Sequence, residues 1–361
     1  MRKIKTSISF IQTVMILMLS TGLLNHVIVI PILLDAAKRD AWISVLLACG
    51  LTLVWAAFLY AGMAKLNKRH LFDWLAKAYH PIVGRMLAVF IGLYLFAICA
   101  VTTRDTVYWI HLTFSPETPI MIFSVPSDLG FKRFLGIQSI ANTASLLLPM
   151  VIVLGFFVMS FNMPHKDYSL LKPMLELGMG PVWKGTLYAG AGFAEVIMIF
   201  FLQHHIRTRI TYVSLAVTVL LFLGLTLGPV MGAIVEFGAD EAGKLRFPAY
   251  EQWRLLNIGR YVEHLDFFSV YQWFCGAFLR ISLALFLILD VFRVKGKKAK
   301  AWVLGGIFIA ILIMMAVPFS DRYFMKALSV YVLPVSVWGI AAFSVIITGL
   351  IGLARRRGRI S

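Results

Sequence analysis

The sequence predicts an all-α membrane protein with ten transmembrane helices, arranged as two inverted repeats of five. The chain has 361 residues, of which 60% are hydrophobic and only 14% charged, a composition that excludes a soluble globular protein. Apolar runs of membrane-crossing length recur along it. Two of these runs, five spans apart, carry helix-breaking residues near their middles. That pairing is typical of a pseudo-symmetric transporter.

The first apolar run, at 8–34, contains residues that weaken a helix. Ser20, Thr21 and Gly22 lie near its middle, and Pro31 follows. In a helix interior Gly costs about 1 kcal/mol and Pro about 3 kcal/mol. Backbone groups freed at membrane depth are tolerated only where protein or a water-filled cavity receives them. We therefore expect this span to open at a small-molecule site, the alternative being an ordinary kinked helix.

Eight more apolar runs follow the first, each near the length that crosses a bilayer. The nine runs lie at 8–34, 41–62, 84–110, 137–161, 184–206, 210–235, 265–291, 301–318 and 327–353. They define the spans that the sequence shows clearly.

A tenth span is needed to place the basic clusters on one side of the membrane. These clusters occupy the N-terminus, the 63–85 linker, the 292–300 loop and the C-terminal tail. The positive-inside rule makes all four cytoplasmic, and two cytoplasmic termini require an even number of crossings. We therefore assign 117–135 to a short or distorted fourth span. Because the net charge of +17 is spread over these clusters, no nucleic-acid partner is expected.

The chain is expected to form one transmembrane domain. Repeat one covers about 8–161 and repeat two about 184–353. Within 63–83, apolar residues at helical spacing with charges opposite predict a cytoplasmic helix at the membrane surface. The 236–264 segment is expected to be a loop on the extracellular side.

A second interruption lies in the run at 184–206, where Gly190, Gly192 and Glu195 stand close together. Two helices that open opposite each other at the bilayer midplane bind carboxylates through free amides and cations through free carbonyls. The predicted ligand-binding residues at the two breaks are Thr21, Gly22, Leu23, Ala191, Gly192 and Phe193, with Asn25 and His26 beside them. A lone histidine such as His26 is also compatible with a hydrogen-bonded core position.

Glu195 is an acidic residue inside an otherwise apolar span. An unpaired charge at the bilayer centre costs at least about 2.5 to 3.5 kcal/mol on insertion scales, so Glu195 must face protein or water. Three roles stay open: pairing a ligand's amino group, exchanging a proton, or hydrogen bonding to a neighbouring helix.

Short motifs occur in a fixed order along nearly the whole chain. They are Thr21-Gly22 followed by Pro31, RDAWIS at 39–44, Arg104, Thr118-Pro119, LLKP at 170–173, GFAE at 192–195, FPAYEQWR at 247–254 and NIGRYVEHL at 257–265. Together they resemble the spore germination permease family, the B subunits of GerA-type germinant receptors, within the amino acid/polyamine/organocation transporter superfamily. The resemblance implies a ten-helix LeuT-like fold in the spore inner membrane. It also implies partnership with an A subunit and a lipoprotein C subunit, and nutrient detection rather than bulk uptake.

Arg280 lies near the middle of the eighth predicted span, where this family often has a lysine. In LeuT-like proteins a sodium ion bridges spans one and eight. The resemblance therefore implies that Arg280 acts as a sodium mimic by bonding carbonyls freed at the first break. An ion pair with Glu195 or Asp290 is the competing interpretation, and Asp290 is the weaker candidate because it lies near the cytoplasmic interface.

A gate is predicted at the outer end of span three. Arg104, followed by an aspartate, is expected to meet the polar residues Tyr250, Glu251 and Arg254 of the outer loop. The alternative is that these residues only hold that loop in place.

No catalytic, metal or cofactor site is expected. The three cysteines lie in apolar runs without metal-ligand spacing. His204 and His205 have no carboxylate or cysteine companions nearby in sequence. No triad spacing, phosphate loop or carboxylate pair indicates an enzyme.

Three functions compete on the sequence alone. In the first, a small nutrient, an amino acid or similar polar solute, closes the cavity and shifts the receptor complex towards signalling. In the second, the protein is a proton-coupled amino acid permease in which Glu195 carries the proton. In the third, it is a scaffold that holds partner subunits in the bilayer.

Overall fold

The computed structural model describes residues 7–114, 136–256, 265–317 and 319–356, and these ranges are almost entirely helical. The α-helices are α1 (Phe10–Leu23), α2 (Val29–Ala37), α3 (Ala41–Leu66), α4 (Leu71–Ala78), α5 (Pro81–Phe114), α6 (Ile137–Phe161), α7 (Met179–Phe193), α8 (Met198–Leu202), α9 (Tyr212–Phe237), α10 (Ala239–Ala242), α11 (Pro248–Arg254), α12 (Phe267–Val291), α13 (Lys297–Ala316), α14 (Asp321–Ala327) and α15 (Leu333–Arg356). Tighter 3₁₀ turns occupy Lys38–Asp40, Met163–His165, Tyr168–Leu171, Ala194–Ile197 and Gln203–His205, and wider π-helical turns occupy Leu24–Ile28 and Leu328–Val332.

Eight helical stretches among the described residues are long and apolar enough to cross a membrane. The first, Phe10–Leu66, turns at Lys38–Asp40, and each of its arms exceeds the roughly 20 residues that span the hydrocarbon. Every one of the nine apolar runs falls in one of these arms or stretches, so the protein is an integral membrane protein. The proposed fourth span at 117–135 lies outside the described residues, and the count of ten stays a prediction.

The first span changes its helical pitch at the predicted break instead of opening. After α1 the chain forms a π turn at Leu24–Ile28 and continues as α2. The Val29 N–H donates to Leu24 O, five residues back, so the backbone stays paired through the wider turn. A π turn is a common way to accommodate a following proline, here Pro31, because it relieves the clash of the ring with the preceding turn. The expected opening at residues 20–24 is corrected accordingly.

The second interruption is also helical. α7 ends at Phe193, the 3₁₀ turn Ala194–Ile197 follows, and α8 continues the span. The Ala194 N–H donates to Gly190 O and Gly192 O. Residues 190–194 therefore leave no row of free amides, since a 3₁₀ turn tightens the helix without unpairing it.

The two irregular spans lie in the interior of the helix bundle. In the apolar part of Met179–His205, 89% of the residues are buried, whereas in that of α13 only 17% are, so the former stretch is central and the latter helix is peripheral. α7 packs between α2 and α3, and α12 packs against α5 and α1. This packing brings the middle of α12 beside both irregular turns.

The 63–83 segment contains the short helix α4, which packs along α5. The His70 side chain accepts a hydrogen bond from the Asp73 N–H at its start. Its buried residues are Leu71, Phe72, Trp74, Leu75 and Ala78. Burial of each large apolar side chain contributes about 1.5 to 3 kcal/mol. The position of α4 at the membrane surface stays a prediction.

Candidate functional site

A buried ion pair joins the second irregular turn to α12. Nη2 of Arg280 lies 2.5 Å from Oε1 of Glu195, and Nη1 lies 2.7 Å from Oε2. Both side chains are almost completely buried. Two parallel N–H···O bonds to one carboxylate give the strongest and most directional form of this contact.

Three further contacts fix the pair in place. The Thr21 hydroxyl donates to Oε2 of Glu195 at 2.8 Å, and Nε of Arg280 donates to the Thr102 hydroxyl at 3.0 Å. Nη1 of Arg280 also donates to the backbone carbonyl of Ser20 at 3.0 Å. The pair therefore connects α1, α5, α12 and the Ala194–Ile197 turn.

The carbonyl of Ser20 lies one turn before the π turn, where the helical bonding is already irregular. In a regular α-helix it would accept from the N–H of Leu24, but that N–H donates to Thr21 O. The Ser20 carbonyl therefore does not accept the usual Leu24 N–H, and it accepts from Arg280 instead. The guanidinium of Arg280 contacts both kinds of partner that the sequence left open, a backbone carbonyl of the first span and the carboxylate of Glu195. Asp290 makes neither contact.

A small cavity lies beside the ion pair. It is lined by Leu24, Tyr94, Ala97, Ile98, Val101, Ala191, Glu195, Arg280, Leu328, Val332, Leu333 and Ser336. Its volume of about 30 Å³ has room for only one or two water molecules. A larger solute requires the walls to move apart.

Three of the predicted site residues line this cavity, namely Ala191, Glu195 and Arg280. The wall contributed by α5 was missed, although Tyr94, Ala97, Ile98 and Val101 follow the spacing of one helix face. On a membrane span that spacing does not distinguish a face towards a cavity from a face towards packed helices. The second π turn, Leu328–Val332, forms another part of the wall that the sequence did not reveal.

Other predicted residues of the first break contact neighbouring helices and do not line this cavity. Nδ1 of His26 lies 3.2 Å from Leu225 O on α9, so His26 occupies a hydrogen-bonded core position. Leu225 is also the neighbour of Gly22. Leu23 packs against Gly276 of α12. These three residues contact α9 and α12 because only one side of the first span faces the cavity.

Asn25 and Gly192 form the closest contact between the two irregular spans. A Cβ atom on Gly192 would lie 1.4 Å from Oδ1 of Asn25, so only glycine fits. The Asn25 side chain is fully buried, and neither Oδ1 nor Nδ2 makes a hydrogen bond within the described residues. Phe193, the next residue, is fully buried core. Asn25 therefore offers an unpaired amide at the contact between the two irregular spans, while the Phe193 side chain has no polar group.

A second charged cluster lies about one turn farther along α5, at Asp105, and it differs from the predicted gate. Asp105 is 2.5 Å from Nη2 of Arg246, and Asp321 is 2.8 Å from Nε of the same residue. Burial opposes the charge of Arg246, but the two carboxylates outweigh it and raise its pKa. Arg104 instead donates to the carbonyl of Phe319 at 2.7 Å. Arg246, immediately before the FPAYEQWR motif, is the partner that the sequence analysis missed.

The other predicted gate residues hold their own segment together. The Tyr250 hydroxyl donates to Oδ2 of Asp266 at 2.8 Å, and burial together with this carboxylate raises the Tyr250 pKa. Glu251 and Arg254 form an i,i+3 pair at 3.0 Å. Such pairs on a helix surface contribute little. The interpretation of these residues as loop-holding fits the geometry better than a gate with Arg104.

The sequence predicts no metal at His204 and His205 because no carboxylate lies near them in the chain. The structure corrects that reason. His70 and Asp290, remote in sequence, both lie beside them. A carboxylate companion is therefore present in space.

The amino-acid sequence of the chain is similar to those of known proteins. It matches a family model described as "Spore germination protein" over residues 5–322. It is 42% identical to spore germination protein XB of Bacillus anthracis over 356 residues, which cover 98% of this chain and 99% of that protein. It is 25% identical to spore germination protein KB of Bacillus subtilis (strain 168) over 307 residues, 79% of this chain and 80% of that protein.

The fold is similar to that of a solved transporter. Mhp1, a nucleobase-cation-symport-1 family transporter in a closed conformation with bromovinylhydantoin bound, superposes with a TM-score of 0.64 at 13% identity. The match covers 100% of this chain and 83% of the transporter. This similarity confirms the LeuT-like fold class.

Proposed function

Because the chain belongs to the spore germination protein family, we propose that it is the B subunit of a germinant receptor whose nutrient binds beside Glu195 and Arg280. The observation that carries this proposal is the buried bidentate pair at the wall of a cavity between two irregular spans. A buried ionisable pair in a membrane protein is expensive to maintain and is typical of substrate pathways.

The chemistry of the pair favours a zwitterionic nutrient such as an amino acid. A carboxylate of the nutrient binds Arg280, and an ammonium group binds Glu195, so both charges stay compensated when the pair separates. Tyr94 and Ser336, on other walls of the cavity, supply hydroxyl groups for a polar side chain. The unpaired amide of Asn25 is a further partner once the cavity widens.

Signalling follows from the size of the cavity. At about 30 Å³ it excludes an amino acid, so the nutrient binds a wider state in preference to this one. A ligand shifts an equilibrium only through such a difference in affinity. The wider state acts on A and C subunits in the spore inner membrane, with both termini of this chain cytoplasmic.

The second candidate is a proton-coupled amino acid permease. The position of Glu195 at the cavity wall favours it. Against it, both oxygens of Glu195 are already bound by Arg280 and one also by Thr21, so a proton competes with three donors. The fixed guanidinium on the carbonyl of Ser20 also fits a sodium-independent protein.

Binding and uptake measurements on the same preparation separate these functions. Protein in lipid nanodiscs is screened against labelled amino acids, and proteoliposomes are tested for uptake under a proton gradient. The sensor is expected to bind one or more amino acids without accumulating them. Saturable, uncoupler-sensitive accumulation identifies a permease instead.

A matched pair of variants tests the site itself. Glu195→Gln keeps the shape but removes the charge, and we expect amino acid affinity to fall at least about tenfold, or 1.4 kcal/mol. Glu241→Gln, at an exposed surface pair, is the control and should bind as the unaltered protein does. In spores, Glu195→Gln should raise the nutrient dose needed for germination. An unchanged dose with normal protein levels supports the scaffold and excludes this site.

A further inference from the structure

Four ionisable side chains from three separate segments meet at the end of the Met179–His205 stretch. His70 precedes α4, His204 and His205 form the last turn of the stretch, and Asp290 lies in the last turn of α12. Their side chains are between 6% and 18% exposed, which shields the cluster without sealing it. The nutrient cavity does not include any of them.

The spacing of the donor atoms resembles that of a metal site. Nε2 of His204 lies 3.1 Å and Nε2 of His70 lies 3.6 Å from Oδ2 of Asp290. Donor atoms bound tetrahedrally at about 2.1 Å from zinc lie roughly 3.4 Å apart. The three donor atoms all lie within 4.8 Å of one another. A side-chain movement of about 1 Å brings them to one ion.

The orientation of His204 points to a cation rather than a hydrogen bond. Its Nε2 atom is buried and 3.1 Å from Asp290, yet it makes no hydrogen bond within the described residues. With no proton on Nε2, its lone pair and the carboxylate oxygen repel each other at 3.1 Å. A positive ion bound to both converts that repulsion into attraction.

We propose that His70, His204 and Asp290 bind one Zn²⁺ ion, with a water molecule as the fourth ligand. Imidazole nitrogen and carboxylate oxygen are ordinary zinc ligands, and three protein ligands leave one position open. Two nitrogen donors disfavour Mg²⁺ and Ca²⁺, which prefer oxygen. The site is independent of the nutrient proposed above.

Neighbouring groups suit the ligands to this role. Nε2 of His205 lies 3.3 Å from Oδ1 of Asp290 and so holds the carboxylate oxygen that the ion leaves free. Nδ1 of His70 accepts the Asp73 N–H at 3.3 Å, and the Asp73 carboxylate lies 3.5 Å from the same atom. With zinc on Nε2 the imidazole proton is on Nδ1, which then gives up the hydrogen bond from the Asp73 N–H and donates to the Asp73 carboxylate. A carboxylate behind a histidine ligand orients the ring and raises its basicity.

The ion joins three elements that the chain connects only over long distances. It links the start of α4 to the ends of the Met179–His205 stretch and of α12. Next to the cluster, Ile8 and Ile206 form a β-bridge. The Ile8 N–H donates to His205 O and the Arg207 N–H donates to Ile8 O, both at 2.9 Å. The beginning of the first span is therefore held against the same point.

Metal titration of the full-length protein tests the proposal. Protein purified without a polyhistidine tag is stripped with a chelator, reloaded with ZnCl₂ and dialysed, and bound zinc is measured by mass spectrometry. We expect about one Zn²⁺ per chain, unaffected by excess Mg²⁺. His204→Gln and Asp290→Asn should each weaken binding more than tenfold, while His165→Gln, at an exposed histidine outside the cluster, should not change it.

Cobalt provides a second readout that needs no variant. Co²⁺ added to the stripped protein should give the intense visible absorption of tetrahedral coordination, and Zn²⁺ should abolish it. If a variant fails to fold, the cobalt spectrum of the unaltered protein still tests the proposed site. The proposal is overturned if the unaltered protein retains no zinc, if cobalt stays octahedral, or if His165→Gln lowers binding as much as His204→Gln.

Discussion

Replacement of Arg280 by methionine removes the cation of the buried pair while keeping much of the side-chain volume. Among the described residues, Glu195 then keeps only the Thr21 hydroxyl as a donor, and the carbonyl of Ser20 loses the guanidinium. Breaking a buried ion pair from one side costs about 3 to 5 kcal/mol, and an unpaired buried carbonyl adds about 1 kcal/mol or more. We therefore expect Arg280→Met to lower the unfolding free energy by at least about 3 kcal/mol.

The cysteines supply the assay. Cys49, Cys99 and Cys275 are free and buried, so a thiol-reactive fluorogenic dye reports unfolding of the detergent-solubilised protein. Arg254→Met is the control, because its partner Glu251 forms an exposed pair worth no more than about 1 kcal/mol.

The double variant Glu195→Gln with Arg280→Met completes the cycle. Removing both charges strands neither, so the double variant should be more stable than Arg280→Met alone. Equal stability of Arg280→Met and the unaltered protein would contradict the buried pair. Strict additivity of the two single changes would show that the side chains do not interact.

Two further predictions concern the contact between spans and the behaviour in acid. Gly192→Ala should destabilise the fold because its Cβ overlaps the Asn25 side chain, and Asn25→Ala in the same chain should restore stability in the dye assay. Burial raises the Asp73 pKa, but the Arg293 hydrogen bond and nearby positive charges outweigh it, so the pKa falls below its usual 3.8. The folded state then binds fewer protons than the unfolded state, and this contribution to stability is complete above pH 3.8 and is lost as the pH falls towards the lowered value. Arg293→Gln should flatten that acid dependence in thermal unfolding measured against pH.

Hydrophobic length predicted the spans because the bilayer dictates it. Helix propensity indicated where both irregular turns occur, since Gly22, Pro31 and Gly192 weaken an α-helix wherever they occur. It could not predict that the chain would adopt π and 3₁₀ turns. Both keep the backbone hydrogen bonded, and membrane depth favours that outcome over open main chain.

The site was predictable where it carries charge. Glu195 and Arg280 stand out as ionisable residues in apolar runs, and their cost in lipid implied a partner. The apolar wall from α5 could not be identified, because the side of a span that faces a cavity has the same residue types as the side that faces lipid. Asp290 joined His204 only in three dimensions, since 86 residues separate them.

The ion pair and the zinc cluster connect the same two elements at two depths. Nine residues separate Glu195 from His204, and ten separate Arg280 from Asp290. The rise is about 1.5 Å per residue in α12 and up to about 2.0 Å in the 3₁₀ turns of the Met179–His205 stretch, so the intervals are about 15 Å and roughly 14 to 18 Å. The two elements therefore run in the same direction between the two contacts. We expect a nutrient that separates Glu195 from Arg280 to move the Met179–His205 stretch relative to α12. A metal bound by His204 and Asp290 then changes the free energy of that movement.

Linkage makes this coupling measurable from either side. If zinc changes nutrient affinity by some factor, the nutrient changes zinc affinity by the same factor, and couplings of this kind are typically about 5- to 150-fold. Titration of each ligand in the presence of the other should therefore give two equal factors that differ from one. Two factors of one would show that the cavity opens without moving the ends of these elements, and the nutrient-induced change would then be confined to the walls from α5 and the Leu328–Val332 turn.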